Sequence, residues 1–104
     1  MIKFHELSDY TQGWVIGILE GEGCFTTSKG YPCVKVEMTD KDVIEHFSFV
    51  LQWPNKIYTR KRGDNKRSYE LSVSGQQAKL FMLDVFPYMG ERRQLRIQEI
   101  VIDG

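Results

Sequence analysis

The sequence predicts an α+β fold, with one antiparallel sheet carrying helices on one face. Three observations predict it. Apolar residues recur at helical spacing in four segments, they alternate with a period of two in two pairs of segments, and turn residues separate every segment from the next. The order that results is helix, strand, strand, helix, strand, strand, helix, helix. Two hairpins, each preceded by a helix, build a sheet with one apolar and one polar face. At 104 residues, one domain spanning 1–104 is expected. Hydrophobic content of 41% and charged content of 27% suit a globular chain. No apolar run approaches the roughly 18 residues that span a bilayer.

The first helix is expected to start at Ser8 or Asp9, both good N-caps. Tyr10, Trp14 and Ile18 form one stripe along it, Val15 and Leu19 a parallel one, and Gly21 and Gly23 end it. Strands follow at Phe25–Lys29 and Cys33–Met38, joined by a turn at Gly30, Tyr31 and Pro32. Val34, Val36 and Met38 alternate with Cys33, Lys35 and Glu37. Thr39 to Asp42 reads as an approximate capping box for a second helix, whose inner stripe is Val43, Ile44, Phe47, Val50 and Leu51. Pro54 closes that segment, and Trp53 beside it reads as a packing anchor. A second hairpin spans Lys56–Arg62 and Arg67–Ser74, turning at Gly63, Asp64 and Asn65. Gly75 opens a third helix with Ala78, Phe81, Met82 and Val85 inside. Pro87 and Gly90 break it. A last helix runs from Glu91 to Asp103 and buries Leu95 with some of Ile97, Ile100, Val101 and Ile102.

The other sheet face is polar: Thr26, Ser28, Lys35, Glu37, Tyr58, Arg60, Arg62, Ser68, Glu70 and Ser72. A plain solvated face is the ordinary reading. Yet the mixture of donors, acceptors and arginine is also what reads base edges in a major groove, which admits a β-ribbon. Formal net charge is zero, but segment 56–67 holds Lys56, Arg60, Lys61, Arg62, Lys66 and Arg67 against Asp64 alone. One basic hairpin on a neutral chain points to a binding face rather than to general stickiness for polyanions. Cys24 and Cys33 have no histidine at metal-ligand spacing, so two reduced thiols on neighbouring strands are expected.

The stretch WVIGILEGEGCF, residues 14–25, is unusual. Glu20 and Glu22 stand at the negative end of a helix, where acids cost energy. Solvated acids beside a glycine cap are the plain account. A divalent metal site is the functional one, since Mg²⁺ takes carboxylate oxygens and keeps several waters. Gly17 and Gly21 lie one turn apart and leave a strip along which two helices can pack closely. Such a pair would bring two copies of Glu22 together, as a phosphodiester reaction at shared metals requires.

Val15 to Gly23 resembles the LAGLIDADG motif position by position, and Trp14, Cys24 and Phe25 fit its wider form. The order of elements is that of the LAGLIDADG homing endonuclease domain. Met38 to Asp42 looks like the strand-to-helix junction of that family. Pro87 to Arg93 looks like a C-terminal stretch of its small one-motif members, including phage-encoded ones. The resemblance covers essentially the whole chain. It departs in having Glu for both motif acids and Ile16 where the motif has a small alanine. Facing a partner helix, Ile16 would crowd the contact; facing the core, it would be harmless.

One motif per chain implies a homodimer joined along the motif helix, with Val15, Gly17, Ile18 and Gly21 at the seam. It implies a double-stranded, near-palindromic DNA target, cut in a metal-dependent reaction that leaves short 3′ overhangs. Glu22 falls on the metal-binding acid, with Glu20 secondary; Asp40 falls where relatives position water; Arg92 or Arg93 falls where a cation faces the reacting phosphate. Mg²⁺ is the implied cofactor, with Mn²⁺ substituting and Ca²⁺ binding without cleavage. The polar face, with Lys61, Lys66 and Arg67 added, is the implied DNA surface. No membrane partner is implied. The N-terminus lacks an apolar signal segment, so the chain is expected to be intracellular, in a bacterial or phage-infected host or an organelle. The competing readings are a non-cleaving DNA-binding regulator or RNA-splicing maturase of the same fold, and a purely structural domain. The last leaves the basic hairpin unexplained.

Overall fold

Ser8 starts the first helix, α1 (Asp9–Glu22): its Oγ accepts a hydrogen bond from the Thr11 N–H at 3.2 Å. In the computed structural model, residues 1–63 and 66–102 are described, Arg62 through its backbone alone. The chain continues as β1 (Gly23–Ser28), β2 (Tyr31–Met38), α2 (Lys41–Leu51), β3 (Tyr58–Arg62), β4 (Lys66–Ser74), α3 (Gln76–Val85) and α4 (Glu91–Ile97). Short 3-10 turns stand at Phe4–Glu6 and Phe86–Tyr88. The fold is α+β as expected, with one antiparallel sheet in the order β1-β2-β4-β3.

The helices pack on the sheet face that Phe25, Val34, Val36, Met38, Leu71 and Val73 present, all of them buried. Ile44, Phe47 and Leu51 of α2 are fully buried against it, as are Ala78 and Met82 of α3. Trp53 anchors the loop after α2 by standing edge-on to both Phe47 and Phe81, with centroids 5.3 and 5.4 Å away. On α1, Val15 and Leu19 face the core; Trp14 and Ile18 are half-buried and Tyr10 is exposed. Val15 is therefore a core residue of its own protomer and is not free to form the seam assigned to it from sequence.

Several local readings change. The first hairpin turns on two residues, Lys29 at φ 52° and Gly30 at φ 83°, with Ser28 paired to Tyr31. Two left-handed residues match the twist of the flanking strands, so Tyr31 and Pro32 join β2 instead of forming the turn. Asp40 occupies the N-cap of α2 at ψ 97° without a side-chain cap bond, so the capping box is not made. Leu95 is exposed, because Ile97 and Ile100 take the buried side of the last helix and Leu95 lies two residues from Ile97, on the far side. That helix is α-helical only to Ile97 and passes into a π-helical turn at Gln98–Ile102. Of the residues assigned to turn or helix ends, Asp64, Asn65 and Asp103 lie outside the described residues.

The corner between α1 and β1 is tight. A Cβ on Gly23 would stand 2.6 Å from the carbonyl oxygen of Leu19 and 3.0 Å from its Cα. Both are backbone atoms, and Leu19 is buried, so neither can move aside cheaply. Gly23→Ala is expected to lower stability by about 1–3 kcal/mol, the usual cost of overpacking, in urea unfolding monitored by circular dichroism.

Candidate active site and nucleic-acid interface

The last turn of α1 carries no basic residue of its own, although its carbonyls and Glu20 concentrate negative charge there. The compensating cation comes from α4. Arg93 donates through Nε to the Glu20 carbonyl at 3.2 Å and through Nη1 to the Gly23 carbonyl. Its Nε also lies 3.5 Å from the Glu20 carboxylate, and the Gly90 N–H faces the same carboxylate at 3.4 Å. One turn on, Arg96 donates to the Phe25 carbonyl at 3.1 Å. The two arginines thereby cover the outer edge of β1, which has no strand beyond it. Glu20 is thus committed to holding α4 in place. Glu22 is exposed and makes no hydrogen bond or ion pair among the described residues.

Glu22 opens instead on a cleft of about 460 Å³ that it shares with Asp40, Lys66 and Arg67, floored by Met38 and Ser68. The cleft lies where β2 ends and β4 begins, so one side comes from α1 and the strand-to-helix junction, the other from the basic hairpin. The Asp40 carboxylate, unused as a cap, is exposed there. Glu22 and Asp40, both chosen from sequence, therefore meet. Arg92 and Arg93 do not join them. They line a separate cleft with Cys24 and Arg96 against β1. Among the described residues, no three of His, Cys, Asp and Glu converge as a complete metal-binding group.

The pairing register decides what the polar face presents. Thr26, Ser28, Lys35, Glu37, Tyr58, Arg60, Ser68, Glu70 and Ser72 do share one face. They form two tiers. Glu37 and Glu70 are directly opposed across β2 and β4, a repulsive placement unless neutralised. Ser68, itself buried, donates to Glu37 at 2.6 Å. Arg60 grips one oxygen of Glu70 through Nε at 3.1 Å and Nη2 at 2.8 Å, and Lys35 lies 4.0 Å from the other. Ser68 therefore supports the surface from below, while Lys35, Tyr58 and Arg60 form its outer layer. Lys61 and Arg67 pair with each other and lie on the opposite face, because their positions are odd in a period-two strand. The backbone of Arg62 pairs with Lys66. Cys24, Tyr31 and Ser74 also belong to the polar face, which only the register reveals. Cys33 sits among them but is buried; burial pushes its thiol up, against the pull of Lys35. Both cysteines are free thiols.

With this geometry in view, comparison with known proteins is direct. The profile of the LAGLIDADG-like domain matches residues 9–85. The chain belongs to the LAGLIDADG family. Among solved structures, it is similar to the archaeal intron-encoded homing endonuclease I-Vdi141I complexed with DNA, at a TM-score of 0.67 and 19% identity, over 89% of this chain and 67% of that one. It is also similar to the homing endonuclease I-CvuI in complex with DNA in the presence of Mg, at a TM-score of 0.61 and 16% identity, over 95% and 67% of the two chains. At these identities the likeness is one of fold. No curated protein sequence matches the chain.

The LAGLIDADG helix of this chain is α1, and it leaves a bare strip on its outer side. Gly13, Gly17 and Gly21 follow at four-residue spacing, are exposed, and have open space where a Cβ would stand. Gly13 extends the pair noticed in sequence by one turn. Ile16, where the motif has alanine, is half-buried at the margin of the core and lines a shallow cleft with Phe4 and Tyr88. The arginine latch at the end of this helix has a measurable weight. Arg93→Ala is expected to lower stability by about 1.5–3 kcal/mol, the range for hydrogen bonds to charged groups, in chemical denaturation. Arg93→Lys is expected to recover only part, since an ammonium cannot span two carbonyls as a guanidinium fork does.

Proposed function

We propose that this chain is a homodimeric, divalent-metal-dependent DNA endonuclease that cuts both strands of a long, near-palindromic site and leaves short 3′ overhangs. The observation that carries the reading is Glu22: an exposed carboxylate without a partner among the described residues, at the end of a glycine-stripped helix, opening on a cleft beside a polar sheet face. A protein that only bound DNA would gain nothing from an unneutralised acid beside phosphates. The solved structures that share the fold are homing endonucleases bound to DNA, which supports the same reading.

The donors present fit a hard cation. Mg²⁺ is held by one or two carboxylates together with waters and phosphate oxygens, so one Glu22 per protomer is an adequate protein contribution. Glu20 is engaged by Arg93 and Gly90, which leaves it a supporting part. When bound, the metal would polarise a phosphoryl oxygen and acidify a bound water. The rest falls to the chain. Glu22 is held in place by the latched end of α1. Asp40 is the carboxylate in reach to take the proton of the attacking water. Lys35, Tyr58 and Arg60 approach base edges, and Lys66 the backbone, with affinity falling steeply as salt rises.

The reading is tested by incubating the protein and Mg²⁺ with randomised, palindrome-enriched duplexes and sequencing the cut ends. Matched ends with a 3′ overhang are expected, and Glu22→Gln is expected to lose cleavage while keeping DNA affinity. Specific binding by both proteins without any cut would sink the endonuclease reading.

The dimer rests on the strip of Gly13, Gly17 and Gly21. Two α1 helices packed along it would bring both Glu22 side chains to the seam. Gly17→Leu is expected to leave the protomer folded, because its Cβ meets open space and leucine favours a helix over glycine. It should halve the mass seen by sedimentation equilibrium. An unchanged mass would exclude this seam.

A further inference from the structure

We infer that Arg67 of β4, rather than the latched Arg93, supplies a cation that faces the reacting phosphate. This rests on the endonuclease reading above and deepens it.

The placement follows from the register. Pairing between β2 and β4 ends at Met38 and Tyr69. Two residues beyond Met38 stands Asp40, and two residues before Tyr69 stands Arg67. Arg67 lies within β4 and keeps the parity of Tyr69, so it leans away from the base-reading face, while Asp40 stands past the end of β2 at the N-cap of α2. That side is the one the end of α1 approaches, and the cleft there is lined by Glu22, Asp40 and Arg67 together. Lys66 borders the same cleft, but it pairs with Arg62 and belongs to the other face.

Three other arginines are committed to partners. Arg60 is held by Glu70, Arg93 by Glu20 and the Gly23 carbonyl, and Arg96 by the Phe25 carbonyl and Glu99. Arg92 opens on the separate cleft along β1. Among arginines with described side chains, Arg67 alone both lines the cleft with Glu22 and lacks a partner. Its exposure without any ion pair is notable, since Asp40 and Glu22 border the same space and neither closes to within ion-pair distance of it. An unpaired guanidinium that shares a cleft with two uncommitted carboxylates is available to an anion.

Chemistry favours a phosphodiester for that anion. A guanidinium is charged at every working pH, and its fork matches two non-bridging phosphate oxygens. In the reaction, the water oxygen bonds to phosphorus, its proton passes to Asp40, the bond to the leaving deoxyribose oxygen breaks, and that oxygen is protonated from solvent. Arg67 exchanges no proton. It holds the charge that grows on the non-bridging oxygens, the kind of preorganised stabilisation whose removal commonly costs about 10²–10³-fold in rate.

The test is single-turnover cleavage, with Mg²⁺ and saturating protein, of the duplex recovered by the wild-type chain, alongside affinity measured in Ca²⁺. Arg67→Ala is expected to cut about 10²–10³-fold more slowly at saturation while its affinity stays within about threefold. Arg67→Lys should recover part of the rate, and added guanidinium ion should partly rescue Arg67→Ala but not the wild type. Circular dichroism and retained DNA affinity guard against a folding defect. Cleavage by Arg67→Ala at the wild-type rate, or a loss that disappears at saturating protein, would overturn the assignment and leave the endonuclease reading intact. A wild-type chain that binds but cuts nothing would overturn both.

Discussion

The C-terminal end of α1 is the point on which the molecule turns. Fourteen residues of aligned peptide dipoles finish there with no cation in the last turn, and two acids add to the same charge. Arg93 resolves the conflict from a distant part of the chain by binding two carbonyls and the Glu20 carboxylate at once. Because one side chain meets all three groups, α4 is fixed against α1 and β1, and the exposed edge of β1 is closed in the same act. Without that latch, the last carbonyls of α1 would lose their cation and the helix end would fray.

A consequence is a division of labour between two glutamates that look equivalent on paper. Glu20 is neutralised and structural. Glu22, two residues on, points away from the latch and stays free. A helix turn of 3.6 residues separates them by roughly 200°, so one arginine cannot serve both. The tight Gly23 corner then sets the direction in which β1 leaves, and with it the position of Glu22 over the end of β2 and β4.

The sheet shows the same economy of charge. Glu37 and Glu70 oppose each other beneath the polar face, and each is tied to neighbours that would otherwise be flexible. Arg60, already held by Glu70, has less rotamer freedom to lose on any further contact. The basic hairpin therefore carries one cation held in place, Arg60, on one face, and Lys61 and Arg67 on the other. A neutral chain can in this way present concentrated positive charge to a nucleic acid without excess positive charge overall.

The sequence alone determined the elements and their order, because periods of 3.6 and 2 in apolar residues are local signals that burial then enforces. It also determined most of the polar face, the Ser8 cap, and the candidacy of Glu22 and Asp40 through the motif and its junction. Tertiary structure decided the partners. That Glu20 is latched and Glu22 free depends on Arg93, some seventy residues away, and no local pattern encodes such a meeting. That Ser68 lies buried under the outer polar side chains, and that Arg67 turns to the cleft rather than the polar face, depends on register and on where β2 stops. Val15 and Leu95 changed sides because a helix face is fixed by what packs against it, not by hydrophobicity alone. Sequence names the groups able to carry charge; only the packed chain decides which of those charges remain unspent.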